Sequence, residues 1–219
     1  MLALKDFKTK SQLFSYLNTV YEKGEASALH FFVVIPDKSI KPDNLLEHAK
    51  HRGLIYEINK KSEDLFSFLV GVRKGDEGGY IISHNSYWIF ITDTIGSKIK
   101  SFINNFFPIL KLSYVNSHKM LSLLEEGSNE YDKVLFTEGT FCKEGETFRN
   151  WKKKQFNFSV KSLNDISKRE KAKWTGISIS CYYNDELYLK FRIYDRGHLT
   201  LYKGNFNEFY SKFLLSFSQ

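Results

Sequence analysis

One order of elements occurs twice in this sequence and limits the folds open to it. A strand, a tight turn, a second strand and a phenylalanine-rich helix are predicted over residues 80–107 and again over residues 187–217. The two segments share this pattern but not their residue identities. Strands joined by tight turns pair antiparallel, and an amphipathic helix buries its apolar face against a sheet. The sequence therefore predicts an α+β fold with antiparallel sheets, each backed by helices.

Local patterns place the elements on either side of this repeat. The C-terminal segment 206–217 has apolar residues at the spacing of one helix face, and Asn205 with Glu208 is typical of a capping box. Residues 73–79 are polar and glycine-rich, which favours a turn region. Phe156, Phe158 and Val160 alternate with polar residues, which predicts a half-buried strand, followed by a polar helix or loop over 164–173.

The glycine-containing polar region 127–150 suggests a boundary in the chain. The sequence predicts an N-terminal α+β domain over residues 1–127, a polar connector over 128–150 and a strand-rich C-terminal α+β unit over 151–219. In an alternative arrangement, the C-terminal unit packs with the first as one domain.

The net charge of the chain comes from one short segment. The whole sequence has 32 Lys and Arg against 25 Asp and Glu, a formal net charge of +7. Nine of the basic residues and only two of the acidic ones lie within residues 149–173, so the rest of the chain is neutral. Ten basic and aromatic residues of this region are the candidate nucleic-acid-binding residues: Arg149, Trp151, Lys152, Lys153, Lys154, Lys168, Arg169, Lys171, Lys173 and Trp174.

The basic segment has two interpretations. Clustered lysines attract a phosphate backbone because binding releases its condensed counterions. An exposed tryptophan beside them can stack on an unpaired base. Alternatively, Trp151 and Trp174 anchor the core, and the lysines only keep the segment soluble. The first interpretation predicts a non-enzymatic binding module for nucleic acid or another polyanion, and an acidic protein is the other partner considered.

Two further functional hypotheses remain open. In the first, strand tyrosines form an aromatic sheet surface that mediates protein interaction or assembly, including association into a homo-oligomer. These tyrosines are Tyr182, Tyr183, Tyr188, Tyr194 and Tyr202. In the second, the chain is an enzyme acting on a nucleotide or nucleic acid without a recognisable motif.

The sequence contains no catalytic signature that assigns chemistry to particular residues. His48 and His51 have the spacing of half a metal site on a helix, but no third ligand is placed by spacing. The glycine-rich residues 75–79 lack the lysine of a phosphate-binding loop. Asp185, Glu186 and Lys190 are residue types found in metal-dependent nucleases, but their spacing does not match such a site and a hairpin tip is the ordinary explanation for the two acids. No catalytic residue, metal ligand or cofactor is therefore assigned.

The cysteines and the apolar runs bear on the expected environment of the protein. Cys142 and Cys181 are too few for a disulfide framework, and Cys181 lies in an apolar strand pattern typical of a reduced core thiol. No apolar run reaches the roughly 18–20 residues of a membrane span, and the N-terminus lacks an apolar signal-peptide core. The sequence therefore predicts a soluble cytoplasmic protein without a membrane partner.

Overall fold

The computed structural model describes most of the chain and resolves two compact units. It describes residues 2, 5–24, 27–45, 47, 56–70, 77–94, 96–106, 109–143, 152–158 and 160–217. The N-terminal unit comprises Met1–Leu17 and Ser27–Ser113, and the C-terminal unit comprises Asn18–Ala26 and Tyr114–Gln219. No helix of the described residues is both long and apolar enough to cross a bilayer.

The N-terminal unit contains an antiparallel sheet. Its strands lie in the order β2-β3-β4-β5-β1, and β6 also pairs with β1. The elements are α1 (Lys10–Glu22, shared with the second unit), β1 (Leu29–Pro36), β2 (Tyr56–Lys60), β3 (Leu65–Val70), β4 (Glu77–Ser83), β5 (Trp88–Thr92), α2 (Gly96–Asn105) and β6 (Leu110–Leu112).

Aromatic side chains hold α2 against this sheet. The Phe102 ring lies 6.0 Å from the rings of both Phe68 on β3 and Phe90 on β5. Phe102, Ile103 and Phe106 are buried in the same apolar cluster. The phenylalanine-rich helix predicted after the first hairpin is confirmed, and its apolar face is the one that contacts the sheet.

Two glycines predicted to lie in a turn are part of a strand instead. Gly78 and Gly79 belong to β4, paired with β3 and, at the following residues, with β5. A Cβ atom at Gly79 would lie only 1.9 Å from the carbonyl oxygen of Ile91. The glycines therefore allow the backbones of neighbouring strands to approach closely. A glycine-rich sequence alone does not distinguish this role from a turn.

The strands of the C-terminal unit lie in the order β11-β10-β9-β7-β8, and neighbouring strands are antiparallel. Its last helix, α5, contains a π-helical turn at Tyr210–Leu214 between the α-helical segments Phe206–Phe209 and Leu215–Phe217. The elements are α3 (Ser117–Ser128), β7 (Lys133–Lys143), β8 (Lys152–Phe158), α4 (Val160–Glu170), β9 (Ala172–Tyr183), β10 (Glu186–Tyr194), β11 (His198–Lys203) and α5 (206–217).

Helices cover one face of the strands of the C-terminal unit. The Phe191 ring of β10 lies 5.4 Å from Phe209 and 4.4 Å from Phe213 of α5. Helices α3 and α4 both contact β9. Both units thus combine an antiparallel sheet with helices packed on it, which confirms the predicted α+β class and its helix-backed sheets.

Two segments of the C-terminal unit have a local structure that the sequence did not predict. Strand β7 lies inside the range 128–150, which the sequence assigned to a polar connector; its buried hydrophobic side chains are Phe136 and Phe141. Because β7 pairs with β8 on one side and β9 on the other, its polar residues are tolerated within a sheet. Val160 begins helix α4 and does not end a strand. The predicted domain boundaries themselves stay a prediction.

The hairpin between β9 and β10 provides a first stability prediction. Asn184 and Asp185 form its two-residue loop, with φ angles of 48° and 61°. Two positive φ values define a type I′ turn, in which glycine is preferred at the second position. We expect Asp185→Gly to raise the free energy of unfolding by about 0.5–1 kcal/mol, because it relieves left-handed strain. The midpoint of urea-induced unfolding measures this change.

The neighbouring strand residue supplies the control for this prediction. Glu186 is exposed and pairs with Tyr183 in the ladder. Glu186→Gly should lower stability by about 0.5–1 kcal/mol, since glycine loses more entropy on entering a strand. A loss of stability in both variants would contradict the type I′ assignment.

Candidate nucleic-acid interface

The pairing register of β8, β7 and β9 brings the two halves of the basic segment to the same end of the sheet. Lys152 of β8 pairs with Phe141 of β7, and Phe141 pairs with Trp174 of β9. Lys173 precedes Trp174 on β9 and pairs with Cys142. The backbones of Lys152 and Lys173 are therefore about two strand spacings, or about 10 Å, apart. Residues distant in sequence thus become neighbours across β7.

Helix α4 delivers further cations to this end. Lys168 and Arg169 occupy its last turn, and Lys171, with φ 47°, turns the chain into β9. These three side chains and that of Lys173 are exposed. We call this group the basic end and define it by six residues of the C-terminal unit: Lys143, Lys152, Lys168, Arg169, Lys171 and Lys173.

Four predicted site residues lie elsewhere or outside the described part of the chain. Lys153 and Lys154 continue along β8, where they pair with Thr140 and Gly139 of β7. Arg149 and Trp151 lie outside the described residues. The register thus carries the lysine run from the basic end along the outer strand of the described sheet.

Trp174 is not available to stack on a base, which corrects its predicted role. Its side chain is only 1% exposed, and its ring lies 5.3 Å from that of Phe141. Its backbone N–H donates to Ser117 Oγ at 3.0 Å. The register of β9 shifts between the Thr140–Gly176 and Phe141–Trp174 pairs, so Trp174 shares the buried face with Phe141 and anchors the core.

The cations of the basic end also have roles in the fold. Lys168 and Arg169 lie at the C-terminus of α4, where positive charge interacts favourably with the helix dipole. The backbone of the lysine run lies on β8, the last strand in the described order. The charges thus support the local structure and also present a cationic surface.

A second group of polar residues lies on the face of this sheet opposite Ile177, Ile179 and Phe191. Directly paired residues share a face, and pairs such as Ser178 with Arg192 identify its members. We call it the polar sheet face. It comprises Lys133, Glu138, Thr140, Ser178, Ser180, Tyr182, Lys190, Arg192, Tyr194, His198, Thr200 and Tyr202.

Arg192 lies on the polar sheet face and links its strands through hydrogen bonds. Its guanidinium donates from Nη1 to Glu138 Oε1 at 2.7 Å and from Nη2 to Thr140 Oγ1 at 3.3 Å. It also lies 4.9 Å from the centre of the Tyr194 ring, which stacks on His198 at 4.6 Å. The arginine spans from β10 past β9 to β7, and its charge is balanced by Glu138. This arrangement makes a rigid polar floor.

The predicted aromatic surface divides between the two faces. Tyr182, Tyr194 and Tyr202 lie on the polar sheet face, and Tyr202 is 36% exposed. Tyr183 and Tyr188 approach Tyr131, with Tyr183–Tyr131 and Tyr183–Tyr188 ring separations of 5.1 and 4.9 Å. The sequence reasoning missed Lys133, and it named Lys190 only for a nuclease site. Arg192 was missed too, although two-residue spacing in 190–194 was a usable signal.

Glu208 of α5 organises a separate polar cluster with Tyr131, Tyr188 and Lys212. Its carboxylate accepts from Tyr131 Oη at 2.9 Å, Tyr188 Oη at 2.6 Å and Lys212 Nζ at 2.7 Å. The Asn205 side chain accepts from the backbone N–H of Glu208, so this half of the predicted capping box is present.

Proton affinities in this cluster favour a stabilising role. Burial, together with hydrogen bonding to Glu208, raises the pKa of both Tyr131 and Tyr188. Burial raises the pKa of Cys181, the predicted core thiol, to about 12. At neutral pH these groups are protonated, which makes them poor bases and nucleophiles. The cluster is therefore best understood as a buried hydrogen-bond network that fixes α5 on the sheet.

The remaining sequence candidates do not assemble into a reactive site within the described residues. His48 and His51 lie outside those residues, and Asp185 and Glu186 are exposed at the hairpin. Across the described ranges, no group of three His, Cys, Asp or Glu side chains has the arrangement of a metal site. A cleft of about 940 Å³ in the N-terminal unit is lined by Asp37, Lys60, Asp64 and His84 among other residues, and the described residues form no metal site there.

Comparisons with known proteins leave the geometry as the guide to function. No protein-family model matches the chain, and no curated protein matches its sequence. The basic end and the polar sheet face are therefore the features from which a function is argued.

Proposed function

We propose that the C-terminal unit is a non-enzymatic binding module that holds nucleic acid by its phosphates at the basic end. The observation that carries this proposal is the β8-β7-β9 register, which places Lys152 and Lys173 about 10 Å apart. The exposed residues Lys168, Arg169 and Lys171 join them from the end of α4. Basic residues of three elements thus have their backbones at one end of one sheet.

The chemistry of this surface favours a polyanion bound with little sequence preference. Five of the six residues are lysines, which act as point charges, whereas arginine offers a planar fork for specific pairing. Phosphate contacts position a nucleic acid without reading its bases. Each neutralised phosphate releases counterions, so binding should weaken steeply as salt rises.

Neutralising three exposed lysines should remove most of this binding. In Lys168→Gln/Lys171→Gln/Lys173→Gln, we expect affinity for a labelled DNA or RNA single strand to fall roughly 30- to 100-fold at low salt. The slope of log affinity against log salt should fall by about 2, because each lost contact contributes about 0.7. Fluorescence anisotropy across a salt series measures both quantities.

A charge-matched triple variant separates the basic end from net charge. Lys38, Lys41 and Lys111 are exposed lysines of the N-terminal unit. Their combined replacement by glutamine removes the same charge and should leave affinity and salt slope nearly unchanged. Equal losses in the two variants, or a wild-type protein that binds neither heparin nor a single strand at low salt, would contradict the proposal.

A further inference from the structure

The polar sheet face continues directly from the basic end. Lys173 pairs with Cys142 two pairs beyond the Thr140–Gly176 pair, and from there β9 runs through Ser178 to Tyr182. The nine residue steps from Lys173 to Tyr182 extend about 30 Å along the strand. A ligand anchored at the basic end therefore has a continuous surface ahead of it.

Aromatic rings along this surface are each accompanied by a cation from the same sheet. The cation lies within 6.0 Å of the ring centre in every pair, and the pairs occupy four different strands. They are Lys133 with Tyr182 at 5.6 Å, Lys190 with Tyr202 at 6.0 Å and Arg192 with Tyr194 at 4.9 Å. A flat apolar ring and a positive charge thus recur together.

The floor beneath these rings is polar and closely packed. Ser178, Ser180 and Thr200 are buried among the strands, and Arg192 is fixed by its ion pair with Glu138. Lys133, Lys190 and Tyr202 are exposed above this floor. A floor that is already fixed needs no rearrangement when a ligand binds, which lowers the cost of binding.

We propose that the ligand is single-stranded nucleic acid. Its phosphates lie at the basic end, and its unpaired bases stack on the polar sheet face, where the exposed Tyr202 is the main stacking residue. This inference rests on the proposed function and specifies its substrate class. Base stacking on an aromatic side chain is worth roughly 1–3 kcal/mol, and an adjacent cation adds to binding by contacting the strand.

The ring-and-cation pairs distinguish a single strand from the other polyanions. A duplex keeps its bases stacked on one another, so its base faces are not available to Tyr202. Heparin and acidic peptides supply negative charge but no succession of flat π-systems. Only an unpaired strand uses both the exposed Tyr202 ring and the exposed charge of Lys190 beside it, so the charge of the face and its exposed ring point to the same ligand.

Affinity of Tyr202 variants for matched probes tests this inference. The probes are a labelled DNA strand of about 10 nucleotides, the corresponding duplex, heparin and poly-glutamate, all compared by anisotropy or competition at low salt. We expect Tyr202→Ala to weaken single-strand binding by about 5- to 150-fold while heparin and duplex binding stay unchanged. Tyr202→Phe retains the ring and should retain affinity.

A second exposed tyrosine provides the matched control. Tyr114 is 70% exposed and lies in the same unit, outside the polar sheet face. Tyr114→Ala should bind the single strand like the wild type. Unchanged single-strand affinity in Tyr202→Ala, equal loss for every probe, or tighter wild-type binding to poly-glutamate would overturn the stacking inference. If the wild type binds heparin but shows no preference for a single strand over the other probes, only this inference fails. If the wild type binds neither heparin nor any nucleic acid, the proposed function is contradicted as well.

Discussion

Glu208→Ala should lower the free energy of unfolding by about 3 kcal/mol, because three donors lose their common acceptor. Tyr131, Tyr188 and Lys212 all donate to this carboxylate, and Tyr131 is only 7% exposed. A buried hydrogen-bond donor left without a partner costs about 1–3 kcal/mol, and bonds to a charged group are the stronger ones. Glu208 also occupies the first turn of α5, where negative charge is favourable. Urea-induced unfolding of wild type and variant at neutral pH measures the difference.

The same network predicts how stability depends on pH. Burial by itself would raise the pKa of Glu208, but hydrogen bonds from Lys212, Tyr188 and Tyr131 outweigh it and hold the pKa below its ordinary value of 4.5. The stabilisation from Glu208 is therefore fully present above pH 4.5 and lost as pH falls through the lower folded-state pKa. Burial raises the pKa of Tyr131 and Tyr188, so their contribution is present below pH 10 and declines as pH rises above it.

Two variants test whether the network itself is responsible. Glu208→Gln keeps an acceptor oxygen and should cost less, about 1–2 kcal/mol, while flattening the acid side of the pH profile. Glu130 also accepts from Lys212, at 2.6 Å, but its side chain is 72% exposed. Glu130→Ala should therefore cost less than about 1 kcal/mol. Equal costs for Glu208→Ala and Glu130→Ala would contradict the central role of Glu208.

Gly79→Ala should destabilise the N-terminal unit by about 3 kcal/mol, although alanine normally favours the folded state by restricting the unfolded chain. The added Cβ would lie 1.9 Å from the carbonyl oxygen and 2.9 Å from the carbonyl carbon of Ile91. Both are backbone atoms of β5, so the contact is relieved only if β4 and β5 separate. Urea-induced unfolding of wild type and variant, followed by far-UV circular dichroism, measures the loss.

A small change in the same hairpin serves as the control. Ser86 is exposed in the turn between β4 and β5, and Ser86→Ala should change stability by less than about 0.5 kcal/mol. If Gly79→Ala unfolds at the wild-type urea midpoint, the two strands tolerate a side chain at this position and the close-approach explanation is wrong.

The predictable part of the fold depended on local patterns with strong periodicity. Alternating apolar residues fixed the hairpin of β9 and β10, and the three- and four-residue spacing fixed α2 and α5. The π-helical turn at Tyr210–Leu214 was not predicted, since one extra residue in a turn leaves little trace in an apolar pattern. β7 was missed because its polar and glycine residues match those of a connector.

The candidate interface was only partly predictable because β-bulges alter which residues share a face. Tyr188 has the same two-residue spacing as Lys190, Arg192 and Tyr194 and would be placed beside them by alternation. The register shifts between Leu187 and Leu189, so Tyr188 turns toward Glu208 instead. The register also shifts in β7 between Phe136 and Glu138. Glu138, the residue after this shift, accepts the hydrogen bond from Arg192.

The sequence by itself determined that the charge of +7 lies in one segment and that helices back antiparallel sheets. Both are properties of neighbouring residues, and composition and periodicity record them directly. Only the tertiary structure decided that Trp174 is core, that Lys152 and Lys173 are neighbours, and that Tyr202 stands exposed beside Lys190. These facts depend on strand order and register, which are set by pairing between residues far apart in the chain.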